Sequence, residues 1–275
     1  MNGRILVIGG SDNTGSAGIQ GDLKTATALG GYASSAITCI TIQDGGGMRD
    51  MVELPADLVG RQIDGVIDGL GVDAVKVGLL TTPEMVDAVV DRLERVPDAP
   101  VVVDAATSSR DRRALTDSDT VANLKRRLMV RARILVASVS DAEVLAGAAI
   151  RTLDDKRHVA DMLRTIGVET VVLTDESGTG DTVVDFIAGP GSGLGEDGER
   201  VADYPRPHGR KVRGVSGALA TAIATFLARG SDPASAVAHA RMYLASAVAH
   251  APELGMEIGP IHHGYAFLFD PLQRG

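Results

Sequence analysis

The first residues in this chain that could do chemistry lie in one short stretch. Gly9-Gly10-Ser11-Asp12-Asn13-Thr14-Gly15-Ser16-Ala17-Gly18 follows the apolar run 5–8. A glycine-rich turn between a strand and a helix can hold a ligand, because ligands in open parallel sheets collect beyond the carboxyl ends of the strands. Gly10-xxxx-Gly15-Ser16 imitates a phosphate-binding loop, but the lysine such a loop needs is missing. The spacing also fails the dinucleotide fingerprint, and a plain strand-to-helix turn would use the same glycines. Asp22 sits one turn into the following helical stretch and can point back toward the sheet edge. Gln43 ends a second apolar run just before Asp44-Gly45-Gly46-Gly47. Its amide can pair with both donors and acceptors on the edge of a heterocycle. Alone, each of Asp22 and Gln43 would read as a surface polar group.

Other reactive residue types have duller explanations. Cys39, the one cysteine, lies inside the apolar run 36–42 and reads as a buried structural thiol. A single cysteine allows no internal disulfide and suits a reducing cytoplasm. His262-His263 does not read as a metal site, since adjacent residues seldom both reach one ion and no other His or Cys stands at ligand spacing. A packed carboxyl-terminal segment explains the pair. Lys24 and Lys125-Arg126-Arg127 read as solvated helix faces.

The elements that must position these groups alternate along the chain. Runs 5–8, 36–42, 74–77, 101–103, 134–136 and 170–173 read as buried strands, with amphipathic stretches between them. Pro55 starts a helix carrying Leu58, Ile63, Val66 and Ile67. Continuous Val/Ile runs bounded by helices predict an α/β fold with a mostly parallel central sheet and helices on both faces. Residues 181–187 read as an added strand, and the glycine run 189–195, with Glu196-Asp197 after it, as a mobile surface loop. Two Ala-rich helices, 214–227 and 233–248, close the chain, and one domain over 1–275 is expected. The net charge of −9 argues against nucleic acid and anionic membrane, and only 3% aromatic residues argues against base stacking. No apolar run reaches the ~20 residues of a membrane span, and no signal-peptide layout opens the chain.

Taken in order, the segments resemble a known family. Gly10-Ser11-Asp12, Gly15-Ser16-Ala17-Gly18-Ile19-Gln20-Gly21-Asp22-Leu23-Lys24, Ala36-Ile37-Thr38, Gln43, Lys76-Val77-Gly78-Leu79-Leu80 and Gly259-Pro260-Ile261-His262-His263 are similar to hydroxymethylpyrimidine/phosphomethylpyrimidine kinases. These have the ribokinase-like fold. The resemblance implies ATP-dependent phosphorylation of the thiamine-precursor pyrimidine, with Gly10, Asp22 and Gln43 holding the ring. It also implies Mg-ATP as co-substrate if the chain turns over (none if it only binds), and a homodimer.

The half of the site that would do the chemistry departs from the family pattern. The family's Gly-Thr-Gly-Cys segment, whose amides would form an anion hole and whose Cys would be the base, reads Gly214-Val215-Ser216-Gly217 here. Gly217 stands at the base position and can accept no proton. Gly178-Thr179-Gly180-Asp181 spells the sugar-kinase form of the motif, but the residues after it are β-like, so a turn explains it better. The nucleotide and phosphate region would comprise Ser140 and Glu143 of Ser138-Val139-Ser140-Asp141-Ala142-Glu143 and Thr174 of Thr174-Asp175-Glu176, where the family has Thr-Pro-Asn-x-x-Glu and Lys-Gly-Gly. Asp104 is retained after the central strand. The expectation is a retained pyrimidine pocket with weak or absent kinase activity. The alternatives are a non-catalytic pyrimidine sensor or carrier, and a kinase for another ring such as a pyridoxal-like compound.

Overall fold

Side chains along a strand alternate between its two faces, and here that alternation divides the core in two. The computed structural model describes residues 2–44, 47–108, 114–174, 182–205, 211–255 and 258–267. Strands β1 (Arg4–Asp12), β2 (Tyr32–Asp44), β3 (Gly47–Glu53), β4 (Ala74–Val77), β5 (Val101–Asp104), β6 (Ala132–Ser138), β7 (Thr170–Thr174), β8 (Thr182–Ala188) and β9 (Glu199–Pro205) form one sheet in the order 3-2-1-4-5-6-7-8-9. The six strands from β2 to β7 in that order run parallel, while β3, β8 and β9 add antiparallel margins. A separate parallel pair joins β10 (Lys211–Arg213) to β11 (Ile258–Pro260).

Leu6, Ile8, Val75, Val77, Val101, Val103, Leu135, Val171 and Leu173 face helices α2 (Ala56–Gly69), α3 (Pro83–Leu93), α5 (Val139–Ala146) and α6 (Leu153–Ile166). A six-residue helix α4 (Ser118–Asn123) leads into the segment carrying Leu124 and Leu128 on this side. Ile5, Val7, Val102, Ile134, Val136 and Val172 face α1 (Gly18–Ala28), α7 (Val215–Ala228) and α8 (Pro233–Ala249). Helix α7 is buried over most of its circumference, as a helix apolar on all sides should be, and its alanines let it lie close to the sheet. The same alternation gives Lys76, between Val75 and Val77, no choice of direction. It points with Val102 and Asp104 toward α1 and α7, into the second core.

The expected alternation and the sheet covered on both faces are present. The strand at 36–42 extends to Tyr32–Asp44, because it pairs with β1 from Tyr32 to Thr41 and, along its other edge, with β3 from Cys39 to Asp44. The added strand near 181–187 is β8. Strands β3, β9, β10 and β11 have no counterpart among the expected elements, being short or polar. The glycine run 189–195 differs from the mobile loop expected. Pro190–Ser192 form a 3₁₀ turn with Gly191 and Ser192 buried, and the Gly191 N–H donates to Thr170 Oγ1 at 3.0 Å. A Cβ at Gly191 would lie 2.5 Å from Thr170 Cγ2, so this glycine serves close packing. Gly178–Asp181 lie outside the described residues. Among those described, no helix is long and apolar enough to cross a membrane.

Candidate active site

Close backbone contacts build the floor of the cleft. The β1–β2 register shifts between Gly9 and Ser11, and a Cβ at Gly10 would come within 2.9 Å of Cys39 Sγ. The turn beyond is held by Asp12, whose carboxylate accepts the N–H groups of Thr14 and Ala17 at 2.9 Å each. These amides are therefore spent inside the turn. Gly18 has φ +56°, and a Cβ there would stand 2.3 Å from the Gly10 carbonyl oxygen. Gly214, with φ +85°, is the residue before α7, and its Cβ would stand 2.0 Å from the Ser16 carbonyl oxygen. Only glycine permits both that dihedral and that approach. The turn after β1 and the start of α7 are thus pressed together at the carboxyl ends of the strands.

Beneath that junction lies a buried charge cluster. Lys76 Nζ donates to Asp22 Oδ2 at 3.0 Å and Oδ1 at 3.2 Å, and lies 3.4 Å from Asp104 Oδ2. Thr221 Oγ1 on α7 donates to Asp22 Oδ1 at 2.7 Å. Ser216 Oγ donates to Asp104 Oδ1. Burial alone would push Lys76 down, but Asp22 and then Asp104 outweigh it and hold the ammonium above its ordinary range. Asp22 is raised: total burial drives it up, and Lys76 and Thr221 only partly pull it back. The Asp22 side chain is 2% exposed and the Asp104 side chain 12%, so only the latter reaches the cleft.

Gly217 completes this cluster by what it lacks. A Cβ there would lie 3.4 Å from Asp104 Oδ2, 3.7 Å from Asp22 Oδ1 and 3.8 Å from Lys76 Nζ. Gly214, Ser216 and Gly217 are therefore brought together with Asp22. Gln43 stands at the far end of β2. Its Oε1 accepts from Arg213 and its Nε2 donates to Thr41 Oγ1 at 3.0 Å, while its backbone N–H donates to Asn13 Oδ1 at 2.7 Å. The hairpin of β2 and β3 is so tied both to the glycine turn and to the strand preceding α7.

The nucleotide-region candidates separate. Ser140 and Glu143, on α5, line an open recess of about 400 Å³ with Ser108, Val144 and Gly147. Glu143 Oε1 accepts the Ile150 N–H at 2.8 Å, and Ser140 Oγ is 2.9 Å from Ser138 Oγ. Thr174 is buried at the end of β7 with its hydroxyl toward the Ala137 carbonyl at 3.5 Å, and it does not line the recess. Asp141 underpins the recess, accepting from Thr107, Ser108 and Ser138. A larger recess of about 590 Å³ between α1 and the carboxyl-terminal segment is mainly apolar and shares no residue with the charge cluster.

Sequence reasoning missed Lys76, Thr221, Asp12 and Arg213 as site residues. The clearest signal was for Lys76: a lysine in the middle of a buried valine strand must have partners. Asp12 stands in a family-like segment without a role of its own, Thr221 and Arg213 lie in ordinary local patterns, and only the fold reveals what they meet.

Comparison with known proteins identifies the family. The family model described as phosphomethylpyrimidine kinase matches residues 12–262. The hydroxymethylpyrimidine/phosphomethylpyrimidine kinase of Streptomyces coelicolor is 34% identical, over 95% of this chain and 94% of that protein. The Escherichia coli protein of the same name is 30% identical, over 95% of this chain and 97% of its own. A bifunctional thiamine biosynthesis protein of Geobacter sulfurreducens is 34% identical, and the match spans 52% of its length. Among solved structures, phosphomethylpyrimidine kinase from Clostridium difficile superposes with a TM-score of 0.76 at 28% identity, over 89% of this chain and 99% of that one. Bacillus subtilis pyridoxal kinase reaches 0.86 at 23% identity, over 98% of this chain and 100% of that one, which shows a shared fold alone. With its sheet order, its glycine turn and its match over 12–262, the chain has the ribokinase-like fold and belongs to the phosphomethylpyrimidine kinase family.

Proposed function

We propose that this chain, acting as one domain over 1–275, is an ATP-dependent hydroxymethylpyrimidine/phosphomethylpyrimidine kinase with slow turnover. Gly10 and Gln43 form the ring-binding side with Asp22 buried beneath it, and Gly214, Ser216 and Gly217 the phosphate side. The observation that carries the reading is the position of Gly217. It lies at the start of α7, against Asp104 and Lys76, and has no side chain; the resemblance in sequence puts the family's base at this position. Loss of a positioned general base costs roughly 10²–10⁴ in rate, yet phosphoryl transfer relies mainly on positioning and electrostatics and so survives it. Asp22 acts from below by holding Lys76, and a ring would meet Gln43 after that amide exchanges its Arg213 or Thr41 partner.

Magnesium enters this reading only with the nucleotide. Among the described residues no three His, Cys, Asp or Glu side chains converge on a metal site. Asp104 and Glu143 already serve Ser216 and Ile150. Magnesium is commonly held by substrate phosphates with few protein ligands, and no step here is routed through it.

Calorimetry with hydroxymethylpyrimidine and with Mg-ATP, beside a turnover assay, tests the proposal. Binding of both with slow product formation is expected. Pyrimidine binding without nucleotide binding would instead establish the non-catalytic carrier, which the engaged Glu143 and the loss of the family's Lys-Gly-Gly at Thr174 favour as second reading. A pyridoxal-like substrate rests on shared fold alone.

A further inference from the structure

We propose that Ser216 and Asp104 together replace the missing base: Ser216 Oγ takes the proton of the substrate hydroxyl while passing its own to Asp104 Oδ1. The inference rests on the kinase reading and deepens it. Three observations support it. Ser216 is the second residue of α7, at the helix end whose free N–H groups attract an anion, and it is only partly buried. Its hydroxyl already donates to Asp104 Oδ1, so the proton has a destination and the Oγ lone pairs are free to face a donor. The other Asp104 oxygen faces Lys76 Nζ at 3.4 Å and the space that a side chain at 217 would begin to fill.

The step balances without further reactants beyond the nucleoside triphosphate. The substrate oxygen forms a bond to the γ-phosphorus as the bond from that phosphorus to the β,γ-bridging oxygen breaks, and the nucleoside diphosphate leaves with that electron pair. The substrate proton moves to Ser216 Oγ, the Ser216 proton moves to Asp104, and Asp104 returns it to water after product leaves. Lys76 limits charge build-up on the carboxylate in the resting state. A neutral hydroxyl held by one carboxylate is a weaker acceptor than a thiolate, which agrees with slow turnover.

The test is a bypass experiment. The variants are Ser216→Ala, Asp104→Asn, their double mutant and Ser216→Thr, each made in the native chain and again with Gly217→Cys. Turnover is measured with hydroxymethylpyrimidine and Mg-ATP, and pyrimidine affinity by calorimetry. Ser216→Ala and Asp104→Asn should each lower kcat about 10²-fold, the double mutant no further, with KM and affinity held within about threefold. Ser216→Thr keeps the hydroxyl and should stay within about tenfold of native. Once the thiol introduced by Gly217→Cys accepts the proton directly, Ser216→Ala should cost less than about fivefold.

Additive losses in the double mutant, or the full Ser216→Ala loss persisting in the Gly217→Cys background, would overturn the relay and leave a structural role. An unchanged rate in Ser216→Ala would also overturn it while the kinase reading stands. A native chain without turnover that gains it with Gly217→Cys would refute the relay together with slow native turnover, and leave the two binding sites standing. Silence in both backgrounds would refute the kinase reading and the relay with it.

Discussion

Two buried ion pairs lie on the same side of the sheet, and they serve different ends. At one margin, Arg241 Nε on α8 meets Asp185 Oδ2 on β8 at 2.7 Å, with side chains 5% and 0% exposed. Near the sheet centre, Lys76 meets Asp22 at 3.0 Å and Asp104 at 3.4 Å. The first joins a helix to a strand and lines neither recess. The second stands at the carboxyl ends of the parallel strands, has more carboxylate than ammonium, and opens toward solvent through Asp104 and Gly217. Burial is similar in the two, so burial alone does not mark a functional charge. Excess charge beside a gap in the packing does.

Removing the cation should show this difference first. Lys76→Met would leave Asp22 and Asp104 buried without their counter-charge, costing about 3–5 kcal/mol by urea unfolding and abolishing turnover. Arg241→Met should also destabilise the fold, since it removes a cation from the buried Asp185 carboxylate, yet leave pyrimidine affinity within about twofold at temperatures where it remains folded. Equal loss of ligand binding in both would erase the distinction. Adding Asp22→Asn to Lys76→Met should recover part of the stability and none of the turnover.

A third buried titratable group tests whether the site and its support separate with pH. His263 is pushed down to about 4, chiefly by burial, with Lys24 adding to the effect. Its Nδ1 lies 3.0 Å from Thr25 Oγ1, and its ring packs against Gly21 of α1. The unfolded chain takes up this proton near 6.5 and the folded one only near 4, so between those values acid favours unfolding. The contribution is complete above 6.5 and is lost as the pH falls toward 4, by up to roughly 3 kcal/mol. His263→Asn should flatten that limb of the stability curve. A limb unchanged in the variant would assign acid sensitivity to other groups.

How much of this is legible in the sequence depends on the range of the interaction. The strand runs at 74–77 and 170–173 show in the sequence because burial on both faces demands unbroken apolar residues. Gly10 and Gly18 show as a cluster, though not as a pair in contact, because that closeness comes from a register shift between β1 and β2. The neighbours of Gln43 place it at a strand end, and the strand is longer than its apolar run because β3 covers its second half. Asp22 is legible as an unusual acid; its engagement with Lys76 and Thr221 requires three elements to meet, a fact of topology rather than of local pattern. The buried turn at 190–192 stays hidden because glycine suits both mobile loops and tight packing.

On the ring-binding side a smaller effect is expected. Gln43→Ala removes the amide between Arg213 and Thr41, and should weaken hydroxymethylpyrimidine binding about tenfold by calorimetry, the worth of one good hydrogen bond. Arg213→Ala should weaken it less, because Gln43 would keep Thr41 and gain freedom to meet the ring. Unchanged affinity in Gln43→Ala would move the ring elsewhere in the cleft.

The finest distinction compares two thiols, one native and one introduced. Burial pushes Cys39 up to about 11, and its sulfur sits against the Gly10 backbone, so at pH 8 it stays a protonated thiol sealed from solvent. Iodoacetamide should leave it unlabelled in the folded protein, and Cys39→Ala should change turnover less than about twofold while lowering stability by about 1 kcal/mol for a small buried group. A thiol introduced by Gly217→Cys would instead start 3.8 Å from Lys76 Nζ in a partly open cleft, where the ammonium favours thiolate. It should be alkylated at pH 8, with loss of whatever turnover it had conferred. Labelling of Cys39 in preference to the introduced thiol would mean that the gap beside Asp104 is closed to solvent, and the charge cluster would then resemble the Arg241–Asp185 pair after all.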